Sequence, residues 1–230
     1  KNLELDNIVE SINNWFNNSI KYSTIDKNIV LHAMENAVPF TQGVYLKKFE
    51  SRFKNYLGIS GNAYAVANGS NALDLTAMLI NTKKGDEFII PSHTWCATAI
   101  SYARFGGKIK WADIDPNTLV ISLDSIKRNL TKKTKAIVIV HLYGMPANMR
   151  EIMRFAKKNK LIVIEDCAQS LGASINKKKT GSFGDLSIFS FHSNKIFTTL
   201  GEGGMLVVNN KKFDKNVRAL LHNGVDEFKR

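Results

Sequence analysis

Two short segments near the end of the chain carry side chains suited to covalent chemistry. In "LIVIEDCAQS" an apolar run gives way to Asp166, and in "LSIFSFHSNK" another gives way to Lys195. "GEGG" follows at residues 201–204. An acid and an amine, each delivered at the exit of a buried strand, suit a carbonyl cofactor held covalently by the amine. The acid would keep a ring nitrogen of that cofactor protonated. This is the arrangement of a pyridoxal phosphate (PLP) site, with a Schiff-base lysine and an acidic partner for the pyridinium nitrogen.

Such a pair needs a frame that aims both groups at one ligand. From about residue 62 the sequence alternates between strand and helix patterns. "NAYAVA", "DEFIIP", "KIKWADI", "KAIVIVHLYG", "LIVIED", "LSIFSF" and "GMLVVNN" read as strands. "GSNALDLTAMLI", "TWCATAISYARF", "DSIKRNL" and "NMREIMRFAKKN" read as helices between them. Near-continuous apolar strands separated by helices predict an α/β fold, a three-layer sandwich with a mostly parallel central sheet. Before that point, Leu5, Ile8, Ile12 and Phe16 recur at helical spacing, as do Ile29, Leu31, Met34 and Val38 more loosely. "TQGVYLKKFESRFKNYLG" predicts a turn and a further helix stopped by Gly58. The division expected is an N-terminal helical segment over 1–40 and a large domain over 41–230.

In an open α/β sheet, ligands bind beyond the carboxyl ends of the strands, and four loops at such ends carry unusual residues. In "ANGSNAL", Gly69 and Ser70 open a helix whose free amides and dipole suit a phosphate; the plainer alternative is a helix cap by Asn68 or Ser70. In "PSHTWCATA", Trp95 offers a flat face to a planar ring or else belongs to the core. In "EDCAQS", Asp166 would cap a helix or else pair with a ring N–H, and Gln169 would reach the same ligand's hydroxyl. Glu165 should point to the opposite face of an alternating strand. In "FSFHSNK", Ser190 offers a hydroxyl to the phosphate, while His192 is either a proton carrier or structural. A lone lysine is ordinarily a solvated one, so Lys195 carries weight through the company of the other loops.

Bulk properties narrow the classes. A chain of 230 residues can bury a real core. No apolar run reaches membrane-spanning length, and "KNLELDNIVE" lacks the apolar centre of a signal peptide. Cys96 and Cys167 make neither a disulfide framework nor a zinc motif; both adjoin apolar runs and are expected as buried thiols in a reducing, cytoplasmic setting. No metal is expected. The net charge of +12 comes mostly from lysine, with 7 arginines among 32 basic residues. Reading bases favours arginine forks on a groove-fitting motif, so nucleic acid is not the expected partner. A solvated lysine surface accounts for the charge, and its field would also draw in an anionic substrate.

Taken in order, these motifs resemble the DegT/DnrJ/EryC1/StrS sugar aminotransferases, PLP enzymes of the aspartate aminotransferase fold. The resemblance runs from Thr41 to Asn210 through "TQGVYLKKFESRF", "NGSNALDL", "GDEFIIPSHTWCATA", "DIDPNTL", "VHLYG", "EDCAQSLGA", "GSFGDLSIFSFHSNK" and "GEGG". It implies that Lys195 forms the Schiff base and moves the proton, and that Asp166 pairs with the pyridine nitrogen. It implies Gln169 at the ring's hydroxyl side, Trp95 on the ring face, and Gly69, Ser70 and Ser190 at the phosphate. The implied reaction carries an amino group from glutamate to a nucleotide-linked keto-sugar, in a cytoplasmic homodimer with a shared site, for polysaccharide biosynthesis. Trp95 stands where the family commonly has phenylalanine, and the first 25 or so residues have no clear counterpart. The family's C-terminal small domain and its partner-subunit asparagine at the phosphate have no counterpart here either. If these residues are the whole polypeptide, turnover is expected to be weak or absent. Two alternatives stay open: a PLP-dependent sugar dehydratase, a branch that replaces the lysine with histidine, and an inactive member serving as an interaction module.

Overall fold

The computed structural model describes residues 24–37 and 43–222. The chain falls into two units, Lys1–Lys48 and Phe49–Arg230. In the first, helix α1 spans Thr24–Asn36. Its Ile29, Leu31 and Met34, the face read from the sequence, are exposed. The stretch built on Leu5, Ile8, Ile12 and Phe16 lies outside the described residues, as does Val38. Helix α2 (Val44–Leu57) follows and ends immediately before Gly58.

The second unit begins its sheet with β1 (Asn62–Val66) and helix α3 (Gly69–Leu79). Next come β2 (Glu87–Pro91), α4 (Ala97–Arg104), β3 (Lys108–Ala112) and α5 (Leu123–Asn129). Strand β4 (Thr134–Val140), α6 (Met149–Lys158) and β5 (Ile162–Asp166) continue the alternation. A hairpin of β6 (Ser174–Ile175) and β7 (Lys178–Lys179) precedes β8 (Leu186–Ser190) and β9 (Gly204–Val208). A short helix α7 (Val217–Leu221) closes the described chain.

Seven strands form one sheet in the order β1-β9-β8-β5-β4-β2-β3. Strands β8, β5, β4, β2 and β3 pair in parallel. Strand β9 runs antiparallel to both its neighbours, so β1 points the same way as β8. Alternate side chains enter two different cores, which is why the strands read as continuous apolar runs. Phe88, Ile90, Ile164, Ile188 and Leu206 pack on one face with Leu73 of α3 and Tyr102 of α4. On the other face Ile89, Ile137, Ile139 and Val163 meet Ile126 of α5 and Ile152 of α6. Also separate from the first core, Phe189, Met205 and Val207 pack with Phe53 and Leu57 of α2. Each such side chain buried contributes roughly 1.5–3 kcal/mol, so two-sided burial fixes strand register firmly. The three layers and the mostly parallel sheet agree with the sequence expectation.

Some details differ. Strand β4 stops at Val140, and "HLYG" continues as a short 3-10 turn over Leu142–Gly144. Helix α4 starts at Ala97, so residues 92–96 form the preceding turn. Cys96 in that turn is exposed, against the expectation of a buried thiol, because the apolar run it follows has already ended at Pro91; Cys167 is buried. Between Asp166 and Lys195 lie both the β6–β7 hairpin and β8, where one β element was expected. The hairpin's strands are two residues each, and its turn places Asn176 and Lys177 at positive φ. So short a ladder in a lysine-rich run leaves no period to read. No helix among the described residues is long and apolar enough to cross a membrane.

Candidate active site

Sheet register brings the key loops to one edge. Val66, Gly204 and Ser190 are aligned across β1, β9 and β8, and Val140 pairs with Asp166 across β4 and β5. Beyond this edge of the sheet, formed by the carboxyl ends of β1, β8, β4 and β5 and the start of β9, lies a cleft of about 410 Å³. Gly69, Ser70, Trp95, Asp166, Gln169, Ser190 and Lys195, the seven residues singled out from the sequence, all line it.

The floor at one side is the start of α3. Asn68 is its N-cap, with its side-chain Oδ1 accepting the Asn71 amide at 2.9 Å. The cap alternative is therefore correct for Asn68, and it leaves the Gly69 and Ser70 amides in the first turn, where no helical carbonyl reaches them. Such an end favours an anion. Two glycines make the approach possible. A Cβ on Gly69 would sit 3.0 Å from Ser190 Cβ, and one on Gly204 would sit 2.5 Å from the Asn68 carbonyl carbon. Ser190 and the start of β9 thus press directly against the loop.

Asp166 ends β5 with 5 % of its surface exposed. Its Oδ1 accepts the Ala168 amide at 3.1 Å and its Oδ2 the Thr98 hydroxyl at 2.9 Å. The Ala168 bond closes a tight turn, and no helix follows for Asp166 to cap. Burial pushes its pKa up, opposed by those two hydrogen bonds and by the fields of Lys195 and His141. A buried carboxylate on a cleft wall is costly without a further donor. A cationic ring N–H would be such a donor.

Lys195 is half-buried in the loop after β8. Its amide bonds to the His192 carbonyl at 2.8 Å, and Phe191 closes the loop's base by donating to Gly203 O at 2.7 Å and accepting from Thr199 N at 3.2 Å. The Phe191 ring is itself held edge-on by Phe53, at 5.7 Å between centroids. Trp95 is 73 % exposed, so it is no core residue; a flat face is free beside the cleft. Gln169 is half-buried and its Oε1 accepts the Tyr143 amide at 3.0 Å, which leaves its NH₂ to a ligand. His192 Nδ1 accepts the Asn194 amide at 3.2 Å, so its hydrogen lies on Nε2, 3.4 Å from Glu202. That pair also lines the cleft.

Three features escaped the sequence reading. Glu165 does point to the opposite face, but it is fully buried and bonded to His141 Nε2 at 3.0 Å. It also accepts the amides of Gly181, Phe183 and Gly184. His141 Nδ1 meets the Ala147 amide, so both ring nitrogens of the clasp are held by protein partners away from solvent. His141, Glu165 and Cys167 are of metal-ligand type and lie close together, yet the first two have already committed these atoms to the protein. The third feature is the pair of Thr94, in the turn before α4, and Thr98, in its first turn, two small polar residues with no distinguishing signal in the sequence.

The arrangement offers an anion cradle, a cation acceptor, an amine and an exposed aromatic face around one cleft. The DegT/DnrJ/EryC1/StrS aminotransferase family model matches residues 24–230. GDP-perosamine synthase of Escherichia coli O157:H7 is 39 % identical over 186 residues, covering 81 % of this chain and 50 % of the synthase. The chain therefore spans about half the length of that relative. The aminotransferase from Psychrobacter cryohalolentis superposes with a TM-score of 0.82 at 35 % identity, over 86 % of this chain and 50 % of that one. An E. coli GDP-4-keto-6-deoxy-D-mannose-3-dehydratase with bound hydrated PLP gives 0.81 at 31 % identity, over 87 % and 52 %.

Proposed function

Because the chain belongs to the DegT/DnrJ/EryC1/StrS aminotransferase family, we propose that it holds PLP and serves amino transfer from glutamate to a nucleotide-linked keto-sugar. The observation that carries this reading is the convergence of Asp166, Lys195 and the α3 N-terminus on one cleft. When bound there, PLP supplies an electron sink that makes a carbon next to nitrogen acidic. The amides of Gly69 and Ser70 and the hydroxyl of Ser190 bind the phosphate. The Asp166 carboxylate accepts the ring N–H, and Gln169 donates to the ring's hydroxyl side. Trp95 covers the ring face and excludes water. Lys195 Nζ would anchor the cofactor and, when free as an amine, would take up and return the proton of the carbon next to nitrogen.

The sugar class is supported by the similarity to a GDP-perosamine synthase. A second copy of the chain, in a homodimer, is supported by apolar side chains near the cleft, since Trp95 and Ile196 are more than 70 % exposed and Leu200 is exposed too. A sugar dehydratase is the second reading, supported by the dehydratase with bound PLP; Lys195, where that branch carries histidine, favours amino transfer. The test is product analysis with nitrogen-15 glutamate and a panel of nucleotide keto-sugars. Label in an amino-sugar product supports the proposal, whereas a deoxygenated keto-sugar without label contradicts it.

A further inference from the structure

The wall behind Asp166 contains two threonines that the cofactor reading leaves without a role. Thr98 is fully buried, and its Oγ1 lies 2.9 Å from Asp166 Oδ2. A carboxylate can only accept, so Thr98 spends its one hydroxyl hydrogen on Asp166. Thr94 Oγ1 lies 2.9 Å from Thr98 Oγ1. With the Thr98 hydrogen committed, Thr94 must be the donor in that bond. The result is a directed chain from the Thr94 hydroxyl through the Thr98 hydroxyl to the carboxylate, in surroundings where successive hydrogen bonds strengthen one another.

The chain sits where orientation matters. A threonine in a helix commonly bonds back to a carbonyl of the preceding turn, but the Thr98 hydroxyl reaches across to β5 instead. Its amide bonds to the Trp95 carbonyl at 3.0 Å, so the same backbone turn carries both Trp95 and the threonine that holds the carboxylate. Asp166 Oδ1 is held by the Ala168 amide. The other ionisable groups facing Asp166 are Lys195, His141 and the buried Tyr102 of α4, with the buried Cys167 thiol next in the chain.

We propose that Thr98 is a positioning residue: backed by Thr94, its hydroxyl fixes the Asp166 side chain as an oriented acceptor for a ring N–H in the cleft. This rests on the PLP reading, and the experiment separates the two. Thr98→Val keeps the shape and removes the hydroxyl, while Thr98→Ser keeps the hydroxyl. Without PLP, carbon-13 NMR of the Asp166 carboxyl should show its protonation midpoint rising in Thr98→Val, rising less in Thr94→Val, and returning in Thr98→Ser. With PLP, quenching of tryptophan fluorescence should show a dissociation constant about tenfold weaker in Thr98→Val, restored by serine. An unchanged midpoint in Thr98→Val overturns the proposal. Failure of serine to restore it does so as well, since Thr98 would then act through packing alone. If the wild type takes up no PLP, the cofactor reading falls, and the midpoint measured without PLP still decides the role of Thr98.

Discussion

At Asp166 two forces oppose each other. Burial favours the neutral acid, while two hydrogen bonds and the nearby Lys195 and His141 favour the carboxylate. Burial is the larger, so the folded pKa is raised. A raised folded pKa means the native state holds the proton more tightly than the unfolded chain, so stability falls as pH rises through it. Asp166→Asn should therefore melt higher than the wild type in the absence of PLP at neutral pH. The gap should close as pH falls below the carboxylate range, which thermal melts across pH will show. The same variant should lose PLP affinity, because an amide gives a ring N–H a weaker, uncharged acceptor. The Glu165–His141 clasp makes the opposite case. Glu165→Ala strands His141 and three amides, and should cost about 3–5 kcal/mol in denaturant unfolding.

The elements place these residues by close approach, and β9 shows it best. Its first residue, Gly204, lies against the backbone of the loop that opens α3, where an added Cβ would sit 2.9 Å from Gly69 N. Those neighbours are main chain and cannot rotate away. Gly204→Ala should cost about 1–3 kcal/mol of stability and weaken phosphate and PLP binding together, measurable by melting and by titration. A loss of stability with unchanged PLP affinity would show that the loop tolerates the displacement. Much of this was legible in sequence, because two-sided burial prints each strand as an apolar run and each helix between as a polar interruption. Asp166 and Lys195 stood out as polar residues ending such runs. The Glu165 clasp did not, since its partners at 181–184 come from a turn whose proximity only the fold supplies. Thr98 was likewise hidden, being one more small polar residue in "CATAIS" until β5 is laid beside it.

For the whole molecule, two expectations join charge to surface. The net charge of +12 resides mainly on lysines, so association of a nucleotide-sugar should slow as salt rises through the range where the screening length falls below about 10 Å. Stopped-flow binding at several ionic strengths checks this, and a salt-independent rate would assign the charge to solvation alone. The exposed apolar rim near the cleft should be covered by a second copy. Leu200→Glu should then shift light-scattering mass toward the monomer and lower PLP affinity in step. The central claim is that Lys195 holds PLP in this cleft. The most direct measurement is the visible absorption spectrum of the protein mixed with PLP. A band that glutamate bleaches and that Lys195→Ala lacks is the predicted result; a wild-type spectrum matching free PLP at saturating cofactor would contradict it.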